Sequence, residues 1–317
     1  MSDTYAVTSE TREGVEVFSL REAERARADI APALGNNCFA FRTAAAEHVL
    51  EPISFAEFQQ RPTSYGIPIL FPFPNRIRDG VFPFRGEQYI VNPPRHGFVR
   101  DKAWRVESHG ASDLAGAWLT SSFDAAQYPE QILQQFPFPF RVEVTYRLKD
   151  SRLEMETVAS NTGEREMPLG FGIHPYFRRP QNGTLTVPAQ QRLELEESLP
   201  TGKVLDVAAD YDLRREADLA GMNLDDIYTG VEAEANGLAR CVLVDGESGT
   251  RTIVEFSREQ FPYVVVYTPP APRAAICVEP NSCPTDAFNL QARGIESNVL
   301  ALAAGATVRF NLSIYTQ

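Results

Sequence analysis

Positive charge is scarce in this chain: 30 lysines and arginines face 42 aspartates and glutamates, a net charge of −12. Such an excess repels phosphate backbones and anionic lipid surfaces, so neither nucleic acid nor a membrane is an expected partner. Long apolar runs are missing too, and none approaches the roughly 20 residues needed to span a bilayer. The opening stretch MSDTYAVTSETREG has no basic region followed by an apolar one, so a secretion signal is not expected there and the expected location is cytoplasmic. Cysteine is sparse and unpatterned. Cys38, Cys241, Cys277 and Cys283 show no paired metal-ligand spacing, so the expectation is reduced, mostly buried thiols, with no metal and no cofactor. No linker, charge block or repeat divides the 317 residues, which are expected to form one domain with residues 1–13 peripheral.

Helical stripes are also rare. YPEQILQQFPF is expected to form two turns after Pro129 and to stop at Pro137. SLREAERARADIAP has helix-favouring composition, yet its apolar positions make no stripe, and residues 14–31 are read as two strands joined at EAER. Strand signals dominate elsewhere. RVEVTYRL places Val142, Val144, Tyr146 and Leu148 on one face and polar residues on the other. The tail ATVRFNLSIY alternates through Val308, Phe310, Leu312 and Ile314, and residues 141–160 read as a hairpin. Period two with one polar face is the mark of antiparallel strands buried on one side. The expected fold class is all-β: a large antiparallel β-sandwich of two packed sheets with few short helices.

Chemistry concentrates in a few segments. GIPILFPFPNRIRDG carries Pro68, Pro72 and Pro74, which forbid a helix and leave a rigid extended path ending at Asn75 and Arg76. An arginine held there presents a fixed fork of donors to hydroxyl or carboxylate oxygens, although a surface arginine at a strand end has the same sequence signature. In PPRHGFVRDKAW, His96 precedes a glycine, where the backbone can take unusual angles. GFGIHPYF puts His174 at a turn or strand end, in a cleft or as a satisfied structural ring. His48 and His109 are read as surface residues. Glu279, in ICVEPNSCPTDAFN, ends an apolar strand where a glutamate is seldom left unless paired or used. NLDDIYTG offers Asp225 and Asp226 at a turn.

Taken in order, NRI at 75–77, HGF at 96–98, HPYF at 174–177, LPTGKV at 199–204, YDLR at 211–214, LDD at 224–226 and EP at 279–280 resemble the aldose 1-epimerase (galactose mutarotase) family. The likeness runs from about residue 14 to the C-terminus. It implies a many-stranded sandwich binding a small-molecule sugar in an open cleft, as a monomer or a homodimer. By the same resemblance Glu279 matches the catalytic base, His174 the catalytic acid and His96 a second histidine beside the ring oxygen. Arg76 and Asp225 match residues that hold sugar hydroxyls, with Asp226 the neighbouring alternative to Asp225. HGFVRDKAW looks more like the hexose-6-phosphate branch, in which Arg100 would match a phosphate ligand. That branch has an arginine near the position of Tyr65 and lacks NRI. With half of the phosphate clamp missing and a net charge of −12, an unphosphorylated sugar is the favoured expectation.

Interconverting anomers requires the C1 hydroxyl to lose a proton while the ring oxygen gains one, so a positioned acid and base are the useful additions. Tyr65, Tyr176 and Phe177 are candidates to stack on apolar sugar faces. A non-catalytic carbohydrate-binding module would use Arg76 and Asp225 but would not need both His174 and Glu279. A glycoside hydrolase or lyase would want two well-placed carboxylates.

Overall fold

A computed structural model describes residues 4–317 of the chain. The alternation in 141–148 becomes strand Phe140–Lys149, whose Val142, Val144, Tyr146 and Leu148 point inward and are fully buried. It pairs with Arg152–Asn161, which is flanked on its other edge by the tail strand Thr307–Thr316. These three sit within a nine-stranded antiparallel sheet that runs from Ala217–Asp218 at one edge to Arg105–Ser112 at the other. An eight-stranded sheet packs against it. From one edge, its order is Leu199–Asp206, Ala189–Glu196, Asp225–Val231, Tyr263–Tyr267, Ala275–Asn281, Gly172–Ile173 and Ile69–Leu70, with Tyr176–Arg178 also paired to Ala275–Asn281.

Between the sheets lies a continuous apolar cluster that includes Val264, Val266, Ile276 and Val278 from the smaller sheet and Val142, Val144 and Leu312 from the larger. Each such side chain taken out of water contributes roughly 1.5–3 kcal/mol, which is why the alternation decides which strand face turns inward. The odd-numbered residues of the 263–267 and 275–281 strands therefore face away from this core. That parity places Glu279 on the face turned away from the core.

Residues 14–31 form the two expected strands, Val15–Glu22 and Ala26–Ala31, within a four-stranded meander that ends at Thr43. The expectation that residues 1–13 are peripheral needs correction: Tyr5–Arg12 is the first strand of this meander and its Tyr5 is buried in the main core. The strand is exposed along most of its length because it lies at a sheet edge, and polar alternation hid the anchor. Residues 1–3 lie outside the described residues. The helix expected after Pro129 is shorter than two turns, a single turn at Pro129–Leu133 fastened by the buried Ile132. Two further short helices, Phe55–Gln60 and Ala287–Ala292, carry no periodic stripe.

His48 is a second correction. It is buried, not on the surface: Nδ1 bonds the Thr252 hydroxyl at 2.8 Å, and Nε2 lies 3.0 Å and 2.9 Å from the hydroxyls of Thr43 and Thr316. Thr43 nearby and two threonines more than 200 residues away satisfy the ring, a combination that local sequence cannot display. His109 is exposed as expected. All four cysteines are free and buried. Among the described residues no helix is long and apolar enough to cross a membrane.

Candidate active site

The proline-rich segment is the spine of the site. Its carbonyls anchor the loops that carry both cleft histidines: His174 N–H donates to Pro68 O (2.9 Å) and His96 N–H to Asn75 O (2.6 Å). Prolines lack a donor of their own, but their carbonyls remain free to accept. Phe98 N–H donates to Phe71 O, and Gly97 must approach so closely that a Cβ there would sit 1.9 Å from that same oxygen. Gly97 also has φ +67°, and His96 before it has φ +63°, so the HG pair forms a left-handed corner that turns the imidazole into the cleft.

The glycines of GFGIHPYF serve contact. A Cβ on Gly172 would lie 1.8 Å from Asn281 Oδ1, and one on Gly170 would lie 2.2 Å from Cys283 Sγ. The chain before His174 is thus pressed against the strand that bears Glu279. That strand's continuation returns to the spine: Asp286 N–H donates to Arg76 O at 2.7 Å, and Arg78 N–H donates to Asp286 Oδ1 at 2.8 Å. The segment carrying Glu279 therefore also clamps the turn carrying Arg76.

Strand register chooses between the two aspartates. Asp225 lies opposite Tyr267, and Tyr267 opposite Cys277, so all three share the odd-numbered outward face with Glu279, which lies opposite Val265. Asp226 points to the other face and pairs with Arg192 at 3.4 Å. A polar cleft of about 340 Å³ results, lined by Asn75, Arg76, His96, Arg100, His174, Asp225 and Glu279, the seven residues singled out in the sequence. Its remaining wall includes Thr63, Ser64, Arg95, Tyr176, Val265 and Tyr267. Tyr176 lines the cleft with its ring stacked on that of His174, centroids 4.5 Å apart. Phe177 instead points into the core, because it is one residue out of phase, and Tyr65 is buried beside the 55–60 helix, where its hydroxyl donates to Glu57. Tyr267 and Arg95 were not picked out beforehand. Parity along YVVVY marks Tyr267, whereas Arg95 had only its place next to His96.

At the floor, His174 Nε2 stands 3.2 Å from Glu279 Oε1, both side chains almost wholly buried. Burial pushes the Glu279 carboxyl well above its ordinary range; nearby Asp225 adds to that, while Arg76 opposes it. Burial also drives His174 down, to about 3. Desolvation disfavours charge on either group, so the pair is arranged to hold one proton between them. Glu279 Oε2, His174 Nδ1 and His96 Nδ1 are buried without hydrogen-bond partners. His96 is held neutral by burial, then by His174 and by Arg100, Arg95 and Arg76. Arg76 reaches Asp225 at 3.7 Å and its own neighbour Asn75 Oδ1 at 3.3 Å. Buried polar atoms without partners are costly, and these three, on residues that line one cleft, are placed to exchange hydrogen bonds with a ligand.

Comparison with known proteins points the same way. The family model for aldose 1-epimerase matches residues 29–315. The chain is 25% identical over 274 residues to the uncharacterized protein YihR of Escherichia coli (strain K12), covering 82% of each chain. Among solved structures it resembles a galactose mutarotase-like protein from Clostridium acetobutylicum, with TM-score 0.89, 22% identity and coverage of 100% of this chain and 99% of that one. It also resembles galactose 1-epimerase from Lactobacillus acidophilus NCFM, with TM-score 0.78, 15% identity and coverage of 100% and 99%. At these identities the structural likeness establishes the fold.

Proposed function

The chain belongs to the aldose 1-epimerase family, and on that premise we propose that it interconverts the α and β anomers of an aldose by general acid–base ring opening at His174 and Glu279. The observation that carries this reading is the 3.2 Å approach of His174 Nε2 to Glu279 Oε1 at the floor of the polar cleft. The hydroxyl oxygen and the ring oxygen of a cyclic hemiacetal are bonded to the same carbon. An acid and a base that meet across such a short gap can each address one of them.

Sugar entering the cleft separates the pair and takes over its hydrogen bond. The reaction starts from the form of the pair in which the shared proton sits on His174 and Arg76 steadies the Glu279 carboxylate. Glu279 then accepts the C1 hydroxyl proton while His174 delivers the shared one to the ring oxygen, and the C1–ring-oxygen bond breaks to leave an open-chain aldehyde. Rotation about the bond from C1 to the next carbon presents the other carbonyl face. The ring oxygen then attacks C1 and returns its proton to His174, and Glu279 reprotonates the new hydroxyl. Every proton is restored. Each well-placed group contributes roughly 10²–10⁴ in rate. Arg76 stabilises the Glu279 carboxylate and, with Asp225 and Asn75, binds hydroxyls. His96 lies beside His174, ring centroids 5.4 Å apart, and offers a neutral imidazole near the ring oxygen.

The test is anomer exchange, followed by NMR or polarimetry across free hexoses and pentoses and their 6-phosphates. Glu279→Gln should lose most of the acceleration while keeping the fold. Equal rates in a folded variant overturn the assigned base, and saturable sugar binding without exchange favours a non-catalytic binding module.

One observation favours a substrate with an anionic substituent over a free aldose. Arg100 and Arg95 both line the cleft, and among the described residues neither forms an ion pair. Burial lowers the half-buried Arg100 guanidinium below its ordinary value, and repulsion from Arg95 acts in the same direction. A phosphate or another anionic group on the sugar would relieve both effects.

A further inference from the structure

Among the cysteines, Cys277 alone lies beside the reacting groups. It stands two residues before Glu279, so both side chains leave the same face of the strand. His174 joins them from the connection between Gly172–Ile173 and Tyr176–Arg178, two short strands hydrogen-bonded to the strand that carries both. The ligand atoms of His174, Cys277 and Glu279 all lie within 4.8 Å of one another, and all three residues are buried.

We propose that these three side chains form a site for a thiophilic divalent cation, with zinc the natural occupant, and that the ion competes with sugar for the cleft. A thiolate, an imidazole and a carboxylate are the donors zinc accepts, and three protein donors with a fourth position left to water is a common arrangement. A thiolate and a carboxylate supply two negative charges against the ion's two positive ones. Glu279 Oε2 and His174 Nδ1 have no partner within the protein, so the carboxylate and the ring are free to adjust onto an ion. The surroundings decide which ions fit. Arg76 acts on Glu279, and Arg100 and Arg273 act on His174, each opposing an added cation. An ion held only electrostatically by oxygen, such as magnesium, does not overcome that repulsion, whereas one that bonds strongly to sulfur does.

Binding is a substitution without redox change. The ion exchanges waters for the three side chains, the Cys277 thiol proton passes to solvent, and any proton shared by Glu279 and His174 leaves with it. With one atom of each group bound to an ion seated between them, the pair can no longer close on a sugar to move its protons. Metal binding itself does not depend on the epimerase reading; only its inhibitory consequence does.

The experiment titrates the full chain with ZnCl₂ by calorimetry and with CoCl₂ by absorption, where a sulfur-to-cobalt charge-transfer band reports a thiolate ligand. One equivalent should bind with that band, and MgCl₂ should neither bind nor compete. Cys277→Ser should abolish the band and weaken zinc binding by at least about a hundredfold, since losing outer partners alone typically costs 10–100-fold. His174→Gln should weaken binding without abolishing the band, a second readout should the serine variant fold poorly. Cys241→Ser, altered in the opposite sheet, should bind like the wild type. Absence of the band in wild type, or an undiminished band in Cys277→Ser, overturns the site. Zinc should slow anomer exchange competitively with sugar, and a chelator should restore it; exchange unaffected by stoichiometric zinc overturns the competition. If the metal-free protein shows no exchange with any sugar, the epimerase reading fails, and the titrations still decide the metal site.

Discussion

Two strand glutamates are almost equally hidden, and they behave in opposite ways. Glu255, on the outer face of the larger sheet, has a side chain 9% exposed; Glu279, on the cleft face of the smaller sheet, has one 2% exposed. Each lines a recess, of about 360 Å³ and 340 Å³ respectively, so size does not distinguish them. Partners do. Glu255 accepts from Arg152 at 2.6 Å, Arg240 at 2.7 Å and the Tyr315 hydroxyl at 3.0 Å. Burial raises its pKa, but the two arginines and the tyrosine outweigh burial and leave it below the ordinary value. Glu279 meets one imidazole, leaves Oε2 unpartnered, and is pushed far upward by burial. A carboxylate with its partners in place is structural. One left short of them is pushed towards its protonated form.

The histidines repeat the contrast. His48 has both ring nitrogens bonded to threonine hydroxyls, while His174 has an orphaned Nδ1.

The sharpest way to break this comparison is to remove one charge from each glutamate. Glu279→Gln should lower anomer exchange by about 10²–10⁴ and leave the urea midpoint nearly unchanged. Glu255→Gln should do the reverse, keeping activity. A large activity loss in the second variant would dissolve the distinction. For the histidines, the probe is pH. The unfolded chain protonates an imidazole near ~6.5, whereas burial holds His48 down to about 4 in the native state. Between those values the unfolded state binds more protons, so stability falls as pH drops through the window, by up to about 3 kcal/mol for this ring. Below it both states carry the charge and the slope vanishes. His48→Gln should flatten that part of the urea-midpoint profile relative to wild type; parallel profiles would mean that His48 does not titrate in this way.

The stability cost of Glu255→Gln comes next, at about 1–3 kcal/mol, because two charge-assisted hydrogen bonds are weakened on a partly exposed surface. The smallest effect concerns the cleft rim. Arg100→Gln should raise KM about tenfold for anionic sugars, roughly the value of one charge-assisted hydrogen bond, and should leave free sugars nearly unaffected. Equal effects on both classes would remove Arg100 from anion recognition.

Legibility in the sequence followed the range of the interactions. The hairpin of 140–161 announces itself because its burial pattern is a period of two over adjacent residues. The paired strands of 14–31 are legible only through the lack of a helical stripe, since their burial runs unbroken through 17–20 and 28–31. Glu279 stood out because a glutamate at the end of ICVEP conflicts with its apolar surroundings. His48 gave no such signal, since its three threonine partners come from residues 43, 252 and 316. The role of glycine in GFGIHPYF was legible only as permission; the side chains of Asn281 and Cys283 explain it as contact.

Residue order alone determined the alternation of the strands, the rigid proline path to Arg76, and the series of short motifs that resemble one family. Those properties arise from side-chain chemistry and backbone sterics over a few neighbours. Only the tertiary structure decided that Asp225 rather than Asp226 faces the cleft, that Glu279 is left unsatisfied while Glu255 is not, and that Cys277 stands beside His174 and Glu279. Each depends on strand register, and register is set by which distant strands pair and which face they bury together, a choice the whole core makes at once.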